Sequence, residues 1–79
     1  MEIDVTVPDL GEEVSEGTIS FWHKKEGDDV EKGEELVEIE TDDGSITMKS
    51  RITGILSQII AEEGGVVSPG DVIAVVEEE

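Results

Sequence analysis

The sequence has no cysteine, few aromatic side chains and little positive charge. Without cysteine, the chain forms neither disulfides nor cysteine-ligated metal sites. Its five Lys and Arg oppose 22 Asp and Glu, which gives a formal net charge of −17. Nucleic acids and anionic membranes attract clustered positive charge, so this balance argues against both as partners. No apolar run approaches the roughly 18 residues of a membrane-spanning helix, and the first residues do not resemble a signal peptide.

The size and the sparse chemistry of the chain favour one small, non-catalytic domain. A chain of 79 residues can bury only a small core, so a single domain over 1–79 is predicted. His23 is the only histidine, and without a second histidine or a cysteine a metal or catalytic role for it is improbable. No nucleophile–base constellation or phosphate-binding loop is present. The sequence therefore predicts that the domain is not an enzyme.

The chain contains an internal repeat with an offset of 37 residues. The unit reads Gly-x-apolar-Ser, then six residues, then Gly-x-x-Val-x-x-Gly-acidic-x-apolar. Its three glycines superimpose in the two copies, as Gly17 on Gly54, Gly27 on Gly64 and Gly33 on Gly70. Glycines spaced this closely disfavour helices, and no helical apolar stripe is present. Each unit instead predicts a strand, a charged bend, a short apolar step, a glycine turn and a second strand.

Two β units predict an all-β domain of two small sheets packed face to face with approximate two-fold symmetry. A further strand with alternating apolar residues precedes them and ends at Pro8. The offset of 37 places residues 40–42 over the last three residues, 77–79. We therefore expect a central turn at one pole of the domain and the C-terminus at the opposite pole.

The centre of the sequence, residues 38–48, predicts a β-hairpin. Apolar and polar residues alternate on both sides of an acidic break that contains Gly44. Two registers are open. A loop of Asp42 and Asp43 pairs apolar residues with one another more often, and we favour it. A loop of Asp43 and Gly44 would use the hairpin-prone Asp-Gly pair.

Two other stretches leave alternatives open. Phe21 and Trp22 are adjacent in a predicted strand, so their side chains point to opposite faces. One belongs to the core and the other is partly exposed, and the pattern does not show which is which. The acidic stretch 9–16 predicts a surface loop beside a strand end. Such a loop serves either recognition or simple connection.

Several runs resemble lipoyl domains, the swinging-arm modules of the acyltransferase component of 2-oxo acid dehydrogenase complexes. They are Val-Pro-Asp-Leu-Gly-Glu at 7–12, Ser-Glu-Gly-Thr-Ile at 15–19, Lys-Glu-Gly-Asp at 25–28 and Leu-Val-Glu-Ile-Glu-Thr-Asp at 36–42. Matches in the second half include Gly54, Gly64, Gly70 and residues 73–76. The resemblance implies a flattened barrel of two four-stranded antiparallel sheets with quasi-two-fold symmetry.

In that family the hairpin turn reads Glu-Thr-Asp-Lys, and the lysine amine is joined to lipoic acid by an amide bond. Here Asp43 stands in the lysine position, with Thr41 and Asp42 as flanking recognition residues and Gly44 after it. A carboxylate cannot form that amide, so no lipoylation is expected at Asp43. The resemblance implies a lipoyl ligase, the decarboxylase and dihydrolipoamide dehydrogenase as partners. It also implies a monomeric domain within a larger complex, in the cytoplasm or the mitochondrial matrix.

Three alternatives accompany this reading. Met48-Lys49 is similar to the Met-Lys of biotinyl carriers, but Lys49 lies too close to Gly54 for that role. Asp42, Asp43 and Ser45 do not have the spacing of a calcium loop, so no metal is predicted. A lysine-less domain that serves as a structural or protein-interaction module is the alternative function.

Overall fold

The computed structural model describes residues 1–11 and 14–78, which form eight β-strands. The bounds are β1 (Glu2–Thr6), β2 (Gly17–Trp22), β3 (Asp29–Val30), β4 (Glu35–Thr41), β5 (Gly44–Lys49), β6 (Gly54–Ile59), β7 (Val66–Val67) and β8 (Val72–Glu78). No part of the described chain forms a helix long and apolar enough to cross a bilayer.

The strands form two four-stranded antiparallel sheets, with the orders β1-β8-β6-β3 and β5-β4-β2-β7. This confirms the predicted fold class. Because the inward-facing side chains alternate with polar ones, each sheet has one apolar face, and the two faces enclose the core. The buried apolar residues are Val7, Leu10, Ile19, Val30, Leu36, Val37, Ile39, Leu56, Val67, Ile73, Ala74 and Val76.

The repeat predicted from the sequence is also the repeat of the structure. Strands β2, β3 and β4 recur as β6, β7 and β8 with bounds shifted by 37 residues, and corresponding strands share one burial pattern. β1 pairs with β8 as β5 pairs with β4. The symmetry therefore makes the β4–β5 hairpin equivalent to the pairing of Met1 with Glu78.

Residues that match between the repeats make matching hydrogen bonds. Glu26 accepts a bond from the backbone N–H of Ile59 at 2.8 Å, and Glu63 accepts one from that of Trp22 at 3.0 Å. Each glutamate thus binds the other repeat's strand. Ser20 and Ser57 donate to backbone carbonyls of β4 and β8, and Glu34 and Asp71 each accept a backbone N–H within a glycine turn. The residues that recur in both copies of the unit therefore form its strand ends and turns.

The structure shows which of the two adjacent aromatic residues is buried and which is exposed. Trp22 is half-buried against the core, and its indole N–H donates to the Ala61 carbonyl at 2.8 Å. Phe21 is 48% exposed and contacts the His23 ring edge-on. A register shift in the β2–β4 pairing between Ile19 and Phe21 accompanies this arrangement.

The described residues of the acidic stretch 9–16 contact the core in two places. Leu10 is only 5% exposed and joins the core, so it anchors the segment that the sequence suggested was entirely at the surface. Gly11 donates its N–H to the Asp9 carboxylate, and Val14 packs partly against the core. Glu12 and Glu13 of the predicted loop, and Glu79 of the predicted C-terminal pole, lie outside the described residues.

Candidate functional site

The β4–β5 hairpin closes with Asp42 and Asp43 as its two-residue turn. Thr41 pairs with Gly44, and Ile39 pairs with Ile46 two residues further on. This is the register that we favoured, because it sets apolar side chains opposite one another on the inward face. The Asp43-Gly44 loop is not formed.

The Thr41 hydroxyl fixes the conformation of the turn. It donates to the Gly44 carbonyl at 2.8 Å and accepts the Asp43 backbone N–H at 3.1 Å. Gly44 has a φ of 121°, a value that a side chain would disfavour. Neither aspartate has a positive φ, so the turn is not one of the primed types that an Asp-Gly loop adopts. One side chain and one glycine thus hold the tip in a single shape.

Gly17 allows the first strand of the repeat to approach the base of the hairpin. A Cβ at this position would lie 2.6 Å from Ile39 Cγ2 and 3.2 Å from the Glu40 carbonyl oxygen. A shallow acidic depression lies beside the hairpin and is lined by Glu16, Gly17, Thr18, Glu40, Thr41 and Asp42. The predicted site residues are therefore adjacent to the start of β2, which the spacing in the sequence did not show.

The chemistry of the tip is that of carboxylates. Asp42, Asp43 and Gly44 are all exposed, while Thr41 is partly buried at the end of β4. Lys49 lies at the far end of β5, where it pairs in register with Glu35. An amide to lipoic acid requires an amine, so the residues at the tip do not fit that group. Within the described ranges, no three His, Asp or Glu side chains are grouped to hold a metal ion.

Sequence reasoning identified all four tip residues but not the internal bonds of Thr41 or the close approach at Gly17. The close approach at Gly17 could have been suspected from the sequence, because Gly17 aligns with Gly54 in the repeat and both begin a strand. It also missed a cluster of cations at the other end of β5. Lys32 lines one depression there together with Lys49 and Arg51, although it lies far from them in the sequence.

Comparisons with known proteins agree with the fold. The profile of the biotin/lipoyl family, described as "biotin-requiring enzyme", matches residues 3–76. The succinyltransferase component of the 2-oxoglutarate dehydrogenase complex of Staphylococcus saprophyticus is 47% identical over 75 residues, which are 95% of this chain and 18% of that protein. The acetyltransferase component of the pyruvate dehydrogenase complex of Corynebacterium glutamicum is 43% identical over 96% of this chain and 11% of that protein. This chain thus spans less than a fifth of either relative.

Solved structures extend the likeness over a whole domain. The lipoyl domain of the Escherichia coli dihydrolipoyl succinyltransferase is 38% identical, with a TM-score of 0.81 over 100% of this chain and 99% of that one. The lipoyl domain of the Azotobacter vinelandii 2-oxoglutarate dehydrogenase complex is 32% identical, with a TM-score of 0.77 over 98% and 99% of the two chains. Urea carboxylase of Kluyveromyces lactis, at 21% identity, shares the fold alone, with a TM-score of 0.81 over 98% of this chain and 6% of that one. The chain belongs to the biotin/lipoyl family and, within it, to the lipoyl domains.

Proposed function

We propose that this chain is the carrier-type domain of a 2-oxo acid dehydrogenase acyltransferase, and that it presents the β4–β5 hairpin without an attachment lysine. The observation that carries the proposal is the exposed hairpin tip, locked by Thr41 on a lipoyl-domain scaffold. Enzymes recognise a tip of this kind best when its shape is set before binding, since less conformational freedom is then lost.

The partners and location of the domain follow from the same proposal. The relatives are acyltransferase components of multienzyme complexes. A lipoyl ligase, the decarboxylase and dihydrolipoamide dehydrogenase would then meet the hairpin tip. The domain would act as a monomer tethered in that complex, in the cytoplasm or the mitochondrial matrix. Tethering raises the effective concentration of the tip at each partner.

Asp43 favours a second function, a domain that binds partner proteins without carrying a cofactor. The turn keeps the geometry of a presented loop, but its exposed groups at residues 42 and 43 are carboxylates. A protein-interaction or structural module needs the shape of the tip and not an amine. The two functions differ in whether the tip, once given a lysine, is still a substrate for modification.

Intact-mass analysis of Asp43→Lys separates these functions. The unsubstituted chain, Asp43→Lys and Asp42→Lys are each incubated with a lipoyl ligase, lipoic acid and ATP. We expect the lipoyl mass on Asp43→Lys alone, because only that position follows Glu-Thr-Asp as the family's lysine does. Asp42→Lys is the matched control, since it places the same amine one residue away on the same turn.

The outcomes are distinct. Failure of Asp43→Lys to gain mass, with the variant folded, contradicts the carrier assignment and supports the interaction module. A lipoyl mass on the unsubstituted chain contradicts our assignment of the lysine position. Peptide mapping would then show whether Lys49 or another lysine was modified.

A further inference from the structure

β1 and β5, each an outer strand of its sheet, differ in the charges that they carry at their free edges. Each is paired on one side only, so alternate backbone N–H and C=O groups point away from the sheet. β1 carries the exposed acids Glu2 and Asp4, and charges of this kind discourage pairing with another strand. The residues at the corresponding positions of β5 are Ser45 and Thr47, which carry no charge, and the charged residue of β5 is a cation, Lys49, at its end. Although the chain has a net charge of −17, the β5 edge therefore carries no acid.

Three of the five basic side chains lie on or beside this acid-free edge. Lys32, Lys49 and Arg51 line a depression of about 410 Å³ next to β5, together with Thr47 and Pro8. None of the three forms an ion pair with a carboxylate of the described ranges. An acidic segment brought to β5 would therefore meet unneutralised positive charge, whereas most of the surface would repel it.

An apolar cleft lies on the inner side of the same edge, between β1 and β5. It has a volume of about 250 Å³, and its apolar lining is formed by Ile3, Val5, Leu36, Met48 and Ile52. Sites for drug-sized ligands are usually larger, at roughly 300–1,000 Å³. The cleft matches an aliphatic side chain in size and character.

We propose that the β5 edge is a docking site for an extended segment of a partner protein in which acidic and apolar residues alternate. The backbone of such a segment extends the β5-β4-β2-β7 sheet by one strand. Successive side chains of a strand point to opposite faces. The apolar ones enter the cleft, and the acidic ones lie beside Lys49, Arg51 and Lys32. This site is separate from the hairpin tip and does not depend on its modification.

The direct test is titration of the ¹⁵N-labelled chain with two capped peptides, Glu-Val-Glu-Val-Glu-Val and Lys-Val-Lys-Val-Lys-Val. We expect saturable shifts with the acidic peptide, confined to β5 and its cationic neighbours, and slower amide exchange along β5. The basic peptide should produce no saturable shift at β5. The proposal is overturned if the acidic peptide gives no saturable shift or if its shifts map to another strand.

Two double variants test the edge and the charges separately. Ser45→Glu with Thr47→Asp gives β5 the acids of β1 and should abolish binding, while the reciprocal Glu2→Ser with Asp4→Thr is the matched control and should leave it unchanged. Lys49→Glu with Arg51→Glu should weaken binding about tenfold. Equal affinity in all variants contradicts the proposal. Concentration-dependent self-association through β5 would also overturn it, because the occupant would then be a second copy.

Discussion

The two sheets of this domain have the same strand pairing, but the outer strand is joined to its neighbour by a turn in only one of them. In one, β4 and β5 are joined covalently by Asp42 and Asp43. In the other, the equivalent β8 and β1 keep the same register through hydrogen bonds between Met1 and Glu78. Because the register is the same with and without a turn, strand pairing is set by the apolar pattern and packing, not by the turn.

Two departures from symmetry lie around β5. Its exposed face lacks the acids of β1, and a buried serine follows it. Ser50 is 5% exposed at the position where the other half has Val7, and its hydroxyl bonds with the backbone of Ile52. The repeat thus supplies the scaffold, whereas the hairpin tip and the β5 edge supply the candidate functions.

Substitution of the glycines that begin β2 and β6 should cause the largest loss of stability, and it compares the two repeats directly. A Cβ at Gly54 would overlap the backbone carbonyl of Glu77, whereas one at Gly17 would first meet the Ile39 side chain at 2.6 Å. A side chain can rotate away, but a strand backbone cannot. We expect Gly54→Ala to lower the free energy of unfolding by about 3 kcal/mol and Gly17→Ala by about 1–2 kcal/mol, measured by urea denaturation. Equal losses of stability in the two variants would show that the chain tolerates a side chain equally well at Gly17 and Gly54.

The reciprocal glutamates should instead behave alike. Glu26 and Glu63 each accept one backbone N–H from the other repeat. We expect Glu26→Ala and Glu63→Ala each to lower the free energy of unfolding by about 1 kcal/mol. The glutamine variants keep an acceptor oxygen and are the controls. A loss confined to one glutamate would break the symmetry at these strand ends.

The hydroxyl of Thr41 should matter to the hairpin tip more than to the fold. Thr41→Val keeps the shape of the side chain but removes both of its bonds in the turn. We expect a loss of about 0.5–1 kcal/mol and faster amide exchange at Asp43. The control Thr47→Val alters a hydroxyl on the same hairpin that makes no hydrogen bond to a described residue. If amide exchange at Asp43 is unchanged in Thr41→Val, the Thr41 hydroxyl does not fix the conformation of the turn.

The smallest effect concerns the turn acids Glu34 and Asp71. Lys24 donates to Glu34 at 2.8 Å, and the Glu31 N–H donates as well, so the pKa of the Glu34 carboxyl lies below its ordinary value. A lowered folded-state pKa stabilises the fold above the unfolded-state pKa, and this contribution is lost as the pH falls through the folded-state pKa. Unfolding at pH 7 and at about pH 3 should therefore show Glu34→Gln to be more destabilising at the higher pH.

Asp71 provides the comparison for that experiment. It accepts the Ser68 N–H as Glu34 accepts that of Glu31, but it forms no ion pair with a described lysine or arginine. Asp71→Asn should show a smaller difference between the two pH values. If both variants respond equally, the lysine contributes nothing measurable, as often happens for exposed pairs.

Much of this molecule could be predicted because its signals are local. Alternation of apolar residues gave the strands, the glycine spacing gave the repeat, and the apolar pairing of Ile39 with Ile46 favoured the correct hairpin register. The burial of Leu10 was missed, since one apolar residue in an acidic stretch has no periodicity to reveal its environment. The order of Phe21 and Trp22 was also undetermined, because the irregular pairing between β2 and β4 depends on both strands.

The sequence by itself determined the all-β repeat, the hairpin with Asp42 and Asp43 at its tip, and the absence of an amine at that tip. These properties depend on residue type and spacing. Only the tertiary structure decided that Gly17 lies against the hairpin and that Lys32 joins Lys49 and Arg51 beside the acid-free β5 edge. Both contacts join residues far apart in the chain, so packing and not local pattern determines them.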